Sequence, residues 1–405
     1  MNGPRSVLAL LFCINLVNYV DRQVLFALLP LIKADMGVSD AKLGALASAF
    51  MLVYMCAAPA VAWRADRGSR VPWIAGGIGL WSLATGLGGL ARGYTQLFLA
   101  RALVGVGESG YGAVSPSFVA EHFPKEKRGG ALALFSMAIP VGSALGYVMG
   151  GWIGGHFGWR AAFFAAGVPG LVLALLATRL KDPRPPLPSG APGPGLRDYL
   201  GLYRTKSYLA STLAMTAMTF ALGGLAVWMP SFLNRTWGLS VSEAGTVFGG
   251  LTVGAGLIGS LLGGWLGDRL LKVTGKAYFL VSGIGFLLAL PAGVAAVRST
   301  SYPASLGFLF LAEMLAFLNM GPLNGVIVWV TAPAVRNMAF AANIFVIHAF
   351  GDAASPALIG LASDRWGLAP ALSATMLFLG LAGAFCLWGA GHVERDSAEV
   401  DRVHG

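Results

Sequence analysis

Charge is scarce in this chain. Of 405 residues only 11% are Asp, Glu, Lys or Arg, while 56% are hydrophobic. A soluble domain carries about 25% charged residues, so a water-covered globular fold is excluded and most side chains must face hydrocarbon or one another. Cysteine is nearly absent as well. Cys13, Cys56 and Cys386 all lie in apolar stretches with no CxxC pair and no histidine cluster nearby, which argues against a disulfide framework or a metal-ligand set. There is no GxxxxGK[ST] loop and no nucleophile–base–acid set, so neither a nucleotide-driven pump nor an enzyme is expected. No cofactor or metal is implied. The net charge of +10 would suit nucleic acid, but the basic residues sit in short loops between apolar runs, the pattern of membrane topology. The first apolar run, from about Ser6 to Ile32, has no clear cleavage site and reads as a span rather than a signal peptide.

What is abundant is hydrophobic run length. Stretches of about 20 residues, enough to cross a ~30 Å hydrocarbon core, begin near residues 6, 40, 73, 95, 128 and 159, then near 208, 242, 276, 304, 338 and 368. The expected fold is all-α and membrane-embedded, with twelve transmembrane helices in two pseudo-symmetric six-helix bundles. The break between the sets is 181-KDPRPPLPSGAPGPG-195, whose prolines and glycines cannot continue a helix. Expected boundaries are 1–180 for the first bundle, 181–206 for a cytoplasmic linker, 207–391 for the second bundle and 392–405 for a cytoplasmic tail. Nineteen of the 28 Lys and Arg fall on the side that holds both termini, against seven on the other. That bias places both termini in the cytoplasm.

The halves repeat each other. The loop after span 2 reads 64-RADRGSR-70 and that after span 8 reads 266-LGDRLLK-272. The loops before spans 5 and 11 read 124-PKEKRGGALA-133 and 333-PAVRNMAFA-341. Related bundles of this kind place a solute site near the midplane of the repeat interface. Four charges interrupt the apolar spans: Asp21 and Arg22 in span 1, Arg101 and Glu108 in span 4. Each costs at least about 2.5 kcal/mol at the bilayer centre. They therefore point to a wet cavity with mutual pairing, which is a transport pathway containing titratable groups.

These residues resemble the major facilitator superfamily, whose loop signature Gly-x-Leu-Ala-Asp-Arg-x-Gly-Arg-Arg is matched at Asp66, Arg67 and Arg70, with Asp268 and Arg269 in the second copy. Ala62 and Ser69 replace the usual glycines. Asp66, Arg67, Arg70, Asp268 and Arg269, with Arg128, form the expected conformational latch, through helix termini and opposite charges. A third look-alike, 360-GLASDRWG-367, falls on the outer side and reads as a turn, the counterpart of 150-GGWIGGHFG-158. Within the superfamily, 18-NYVDRQ-23, 101-RALVGVGESGYGAVSPSF-118, 121-EHFPKEKRG-129 and 348-HAFGDAASPALIGLASDRWG-367 together resemble the Spinster family. The resemblance implies a secondary transporter of lysolipids and related amphiphiles and, for bacterial members, proton coupling. A multi-pass protein of a bacterial inner membrane acting as a monomer is expected, with the bilayer, an amphiphile and protons as its partners and no nucleic acid.

Asp21 and Glu108 are the expected proton carriers. A buried carboxylate stays ionised beside an arginine and takes up a proton away from one, so a motion that makes and breaks an Asp21–Arg101 pair would load and release a proton. Arg22 lies ~100° around the helix from Asp21 and need not share its partners. Arg101 and Glu108, seven residues apart, occupy one face of span 4. Either arginine can fork onto an anionic headgroup. Further candidate contacts are Tyr54 and Tyr111, with Tyr19 and Tyr147, then Glu313 and Asn319 in span 10 and the i,i+4 pair His348 and Asp352 in span 11. Met215, Met218, Phe220 and Trp228 would either wall an acyl chain or simply pack. Gly142, Gly146 and Gly150 in span 5, with Gly249 to Gly259 in span 8, suggest close packing and gating between those spans. The run 146-GYVMGG-151 resembles the antiporter signature Gly-Pro-x-x-Gly-Gly, with Tyr147 in place of proline, which argues against strict antiport. A carrier of small soluble organic anions or drugs is the alternative, and a non-transporting membrane receptor a lesser one.

Overall fold

A computed structural model describes residues 3–112, 114–183, 200–332 and 335–404, with the Asp66 side chain outside that description. Residues 184–199 of the expected linker also lie outside it. Among the described residues the chain is helical and carries no strand. The first helices are α1 (Pro4–Met36), α2 (Asp40–Asp66), α3 (Val71–Gly89), α4 (Tyr94–Gly112), α5 (Ser115–Glu121), α6 (Lys125–Phe157) and α7 (Trp159–Ala177). After the linker come α8 (Lys206–Trp237), α9 (Val241–Leu271), α10 (Ala277–Arg298), α11 (Tyr302–Phe317) and α12 (Pro322–Trp329). Then follow α13 (Arg336–Ile347), a π-helical segment (His348–Asp352), α14 (Ser355–Trp366), α15 (Leu368–Thr375), α16 (Leu377–Ala390) and α17 (Val393–His404).

Among the described residues, ten helical stretches are long and apolar enough to cross a membrane. The remaining two expected spans coincide with α3 and α4, 19 residues each. Their hydropathy is diluted by glycine in α3 and by Arg101 and Glu108 in α4. Prolines mark where spans are broken: α5, α12 and α14 each carry one in their first turn, a place where the missing N–H costs nothing. Helix ends follow local chemistry. Ser39 caps α2 by accepting from the Lys42 amide at 3.3 Å. Ser240 and Glu243 exchange hydrogen bonds at the start of α9 in a capping box. α6 and α14 both end on a glycine in the same unusual conformation, Gly158 (φ 84°, ψ 157°) and Gly367 (φ 86°, ψ 160°). The two segments matched in sequence as counterparts therefore turn alike; in the second, the helix runs to Trp366 and only Gly367 makes the turn.

The chain divides into two compact units, residues 1–191 with 226–250, and residues 192–225 with 251–405. In the first, α1 packs along α6, and α3 against α4 and α7. A methyl group added at Gly142 would meet the Leu16 carbonyl at 2.6 Å, and one at Gly146 the Val20 carbonyl at 2.7 Å. The Gly142–Gly146–Gly150 stripe is thus spent on α1, not on span 8 as expected from its spacing. A separate set does bring α6 and the start of α9 together: Gly151 meets Val241, and Gly245 and Gly249 meet Tyr147. In the second unit α10 packs against α11 and α16. Gly254 and Gly256 face Phe310 and Phe317 of α11 there.

Candidate functional site

Asp21 and Arg22 leave α1 in different directions, and each finds its own partner on α4. Asp21 Oδ1 accepts from Arg101 Nη1 at 3.2 Å, and its Oδ2 accepts from the Thr85 hydroxyl at 2.5 Å. Arg22 donates through Nε to Glu108 Oε2 at 2.8 Å, with Nη2 at 2.6 Å from the same oxygen. Arg101 and Glu108 share a face of α4, yet both pair across to α1 rather than with each other. The result is two crossed ion pairs of zero net charge. That is how four charges are tolerated in an apolar helix pair, since one charge without its partner is strongly unfavourable.

Exposure separates the four. Asp21, Arg101 and Glu108 are 1% exposed, whereas the Arg22 side chain is 17% exposed. Arg22 is the member positioned to meet an incoming group. Its guanidinium lies over three aromatic rings, Phe50 at 4.9 Å, Tyr19 at 5.0 Å and Tyr54 at 5.6 Å, a cation–π cage that keeps the cation while supplying apolar surface. Arg101 Nε is buried with no hydrogen-bond partner among the described residues, at a cost of about 1–3 kcal/mol, and is capacity for a further hydrogen-bonding group.

The other sequence candidates are dispersed. Tyr54 belongs to the Arg22 cage. Tyr111 is buried, donates to the Leu11 carbonyl at 2.9 Å and packs edge-on to Trp81. Tyr147 donates to the Ala226 carbonyl at 2.7 Å. In the second unit, Glu313 is 2% exposed and has the Thr252 hydroxyl as its polar neighbour. Asn319 donates to the Ala316 carbonyl at 2.5 Å, leaving its Oδ1 unpartnered. His348 Nδ1 lies 2.9 Å from Asp352 Oδ1 within the π-helical segment. Such segments are often found at functional sites. Met215, Met218, Phe220 and Trp228 are all buried, and Phe220 stacks on Phe378 at 3.9 Å, so they pack rather than line an open wall.

The loop residues divide in the same way. Arg70 is fully buried and donates to Asp182 at 2.5 Å and to Glu121 at 2.5 Å. Burial opposes its positive charge, but the two carboxylates outweigh burial and raise its pKa above the ordinary arginine value. Arg67 donates to the Trp63 carbonyl at 3.1 Å, and Arg128 to the Phe123 carbonyl at 3.0 Å. Asp268 accepts from the Tyr278 hydroxyl at 2.9 Å, and Arg269 lies over Trp265. The Asp66 contacts lie outside the described residues.

Sequence reasoning missed three groups. Thr85 holds Asp21, but a threonine in an apolar helix carries no signal. Asp40 accepts hydrogen bonds from Arg235 Nη1 and Nη2, at 2.6 and 2.8 Å, and from Lys33 Nζ at 2.6 Å. The three charges fall at one end of the first unit in the predicted topology, and that clustering was the available clue. Glu121 and Asp182, the partners of Arg70, were readable as acids but not as its neighbours.

Residues 11–351 match the Major Facilitator Superfamily. The chain is 35% identical over 387 residues to human spinster homolog 1, covering 89% of this chain and 73% of the human protein. Spinster homolog 1 of Xenopus tropicalis is 33% identical over 94% of this chain and 77% of its own length. Protein spinster of Drosophila melanogaster is 32% identical over 87% of this chain, which spans 60% of the fly protein's length. Among solved structures, a bacterial homologue of the human lysosomal transporter Spinster, inward-facing and unoccupied, superposes with a TM-score of 0.86 at 23% identity over 97% of this chain and 98% of its own. A D-xylose–proton symporter superposes at 0.74 with 14% identity, over 94% and 96% of the two chains. The fold is thus that of the major facilitators, and with its helices and buried charge pairs described, the chain belongs to the Spinster family of major facilitator transporters.

Proposed function

We propose that this protein is a proton-coupled secondary transporter of lysolipids or related amphiphiles, working by alternating access as a monomer in a bacterial inner membrane with both termini in the cytoplasm. The proton gradient drives it, with no cofactor. The observation that carries the reading is the crossed pairing of α1 with α4, in which each acid is neutralised by the other helix's arginine. In hydrocarbon a carboxylate is ionised at low cost only while a cation lies against it. A movement of α1 on α4 that opens either pair makes proton binding the alternative route to neutrality, and re-forming the pair expels the proton.

The Glu108 carboxylate and the substrate's anionic headgroup then compete for the same arginine. When Glu108 is protonated, Arg22 is released to fork onto an anionic headgroup, as guanidinium does onto phosphate. The Tyr19, Phe50 and Tyr54 rings around Arg22 offer apolar surface where an amphiphile's chain begins, which favours a lipid over a fully polar anion. Arg101 serves Asp21 in the same way, and Arg67, Arg70, Arg128, Asp268 and Arg269 hold the loop ends as latch elements. Glu313, His348 and Asp352 are candidate contacts from the second unit.

The decisive assay is uptake of a labelled lysophospholipid into proteoliposomes with and without an imposed pH gradient, for wild type and Asp21→Asn. Gradient-driven uptake is expected in wild type and is lost in the variant. Movement of a panel of soluble organic anions with no movement of lysolipid would overturn the substrate assignment.

A further inference from the structure

α1 and α6 run in parallel, in the register that pairs Leu16 with Gly142 and Val20 with Gly146. Two concave surfaces follow one side of this seam. One, of about 530 Å³, is lined by Arg5, Leu8 and Phe12 of α1, Phe123, and Lys127 and Leu134 of α6. The other, of about 400 Å³, is lined by Leu16 and Val20 of α1, Leu145 and Trp152 of α6, and Pro169 of α7. They are successive parts of one stripe. Positions 5, 9, 12, 16 and 20 recur on a single face of α1, and 127, 131, 134, 145, 149 and 152 on a single face of α6, at the 3.6-residue period. From Arg5 to Val20 the stripe is ~22 Å long at 1.5 Å per residue.

The chemistry along it is polar at one end only. Arg5 and Lys127 stand at the first end, and every other lining residue is uncharged and almost all are apolar. Gly130 lies in the floor of the first part, and a side chain added there would meet nothing within 4 Å. Leu134 is 47% exposed and Trp152 52%, so the seam opens to the surroundings, which for membrane-spanning helices are lipid. Asp21 and Arg22 leave α1 about 120–140° away from this face, so an occupant of the seam does not obstruct the paired charges.

We infer that the α1–α6 seam is a seat for one anionic glycerophospholipid, its phosphate held by Arg5 and Lys127 and one acyl chain lying along the stripe toward Trp152. The occupant is a resident lipid rather than the transported solute. Basic residues near a membrane surface each contribute about 1 kcal/mol toward an anionic lipid, so the pair together favours an anionic over a zwitterionic headgroup by about thirtyfold.

The test uses the full-length protein purified and delipidated in detergent. Retention of added phosphatidylglycerol and of phosphatidylcholine with the same chains is measured by native mass spectrometry, and the melting temperature is followed with each lipid and with inorganic phosphate alone. Wild type is expected to retain phosphatidylglycerol about thirtyfold more tightly and to melt higher with it. Arg5→Gln with Lys127→Gln, at exposed positions that do not threaten folding, should erase that preference. Gly130→Leu, which fills the groove, should weaken retention of both lipids. Equal retention of the two lipids by wild type, or a preference that survives the double substitution, would overturn the site. So would full stabilisation by phosphate alone, or unchanged retention in Gly130→Leu.

Discussion

Removing one charge from the Asp21–Arg101 pair strands the other in an apolar environment. Breaking a buried pair from one side costs about 3–5 kcal/mol, whereas replacing both charges is far milder. Arg101→Ala is therefore expected to lower the melting temperature in detergent sharply. Asp21→Asn combined with Arg101→Gln should lose less than the sum of the single changes, because contacting residues are not additive. Additive losses would mean that the 3.2 Å contact does not couple the two side chains. The four charges stood out in the sequence because an apolar run makes any charge conspicuous. The Asp21–Arg101 pair was an expectation from the sequence and is present; the pairing of Arg22 with Glu108, 86 residues apart, was not foreseen. Helical geometry said that Asp21 and Arg22 diverge; only the tertiary structure brought Glu108 to Arg22.

At the level of helices, close approach is enforced by glycine, and the cost of filling it depends on what lies opposite. Gly146→Ala would push a methyl group to 2.7 Å from the Val20 carbonyl, and overpacking of this kind costs about 1–3 kcal/mol. Gly250→Ala meets nothing within 4 Å, and alanine is the better helix former by up to about 1 kcal/mol. Thermal unfolding of the two variants should therefore move in opposite directions, and a drop of equal size in both would refute the α1–α6 assignment. The four-residue glycine spacing revealed that α6 is approached closely along one face. It could not reveal that α1 is the neighbour, because a stripe of small residues is compatible with any helix that lacks protruding side chains. The break between α13 and α14 was hidden for another reason: π-helical turns leave no periodicity of their own.

Across the whole molecule, orientation rests on the excess of Lys and Arg in the segments that share a side with the termini. The positive-inside bias predicts that green fluorescent protein fused after the last residue fluoresces in a bacterial host, while alkaline phosphatase at the same place stays inactive. The reverse pattern would invert the topology and exchange the ends assigned to the Arg70 and Asp40 clusters. The all-helical membrane architecture was legible throughout, because length and apolarity of a segment are properties of the segment alone. Apolarity faltered as a guide at α3 and α4, where glycine or functional charge dilutes it.

By itself the sequence determined the class of environment, the positions of the helices, the family and the presence of paired charge in the membrane. All of these follow from local composition or from motifs, which survive without knowledge of what touches what. The tertiary structure decided the pairing of Arg22 with Glu108, the role of Thr85, the Asp40 clasp on Arg235 and the lipid-facing seam beside α6. Each depends on helices distant in sequence being brought within a few ångströms. Hydrophobic periodicity can demand that a helix be covered, but it does not specify by which neighbour.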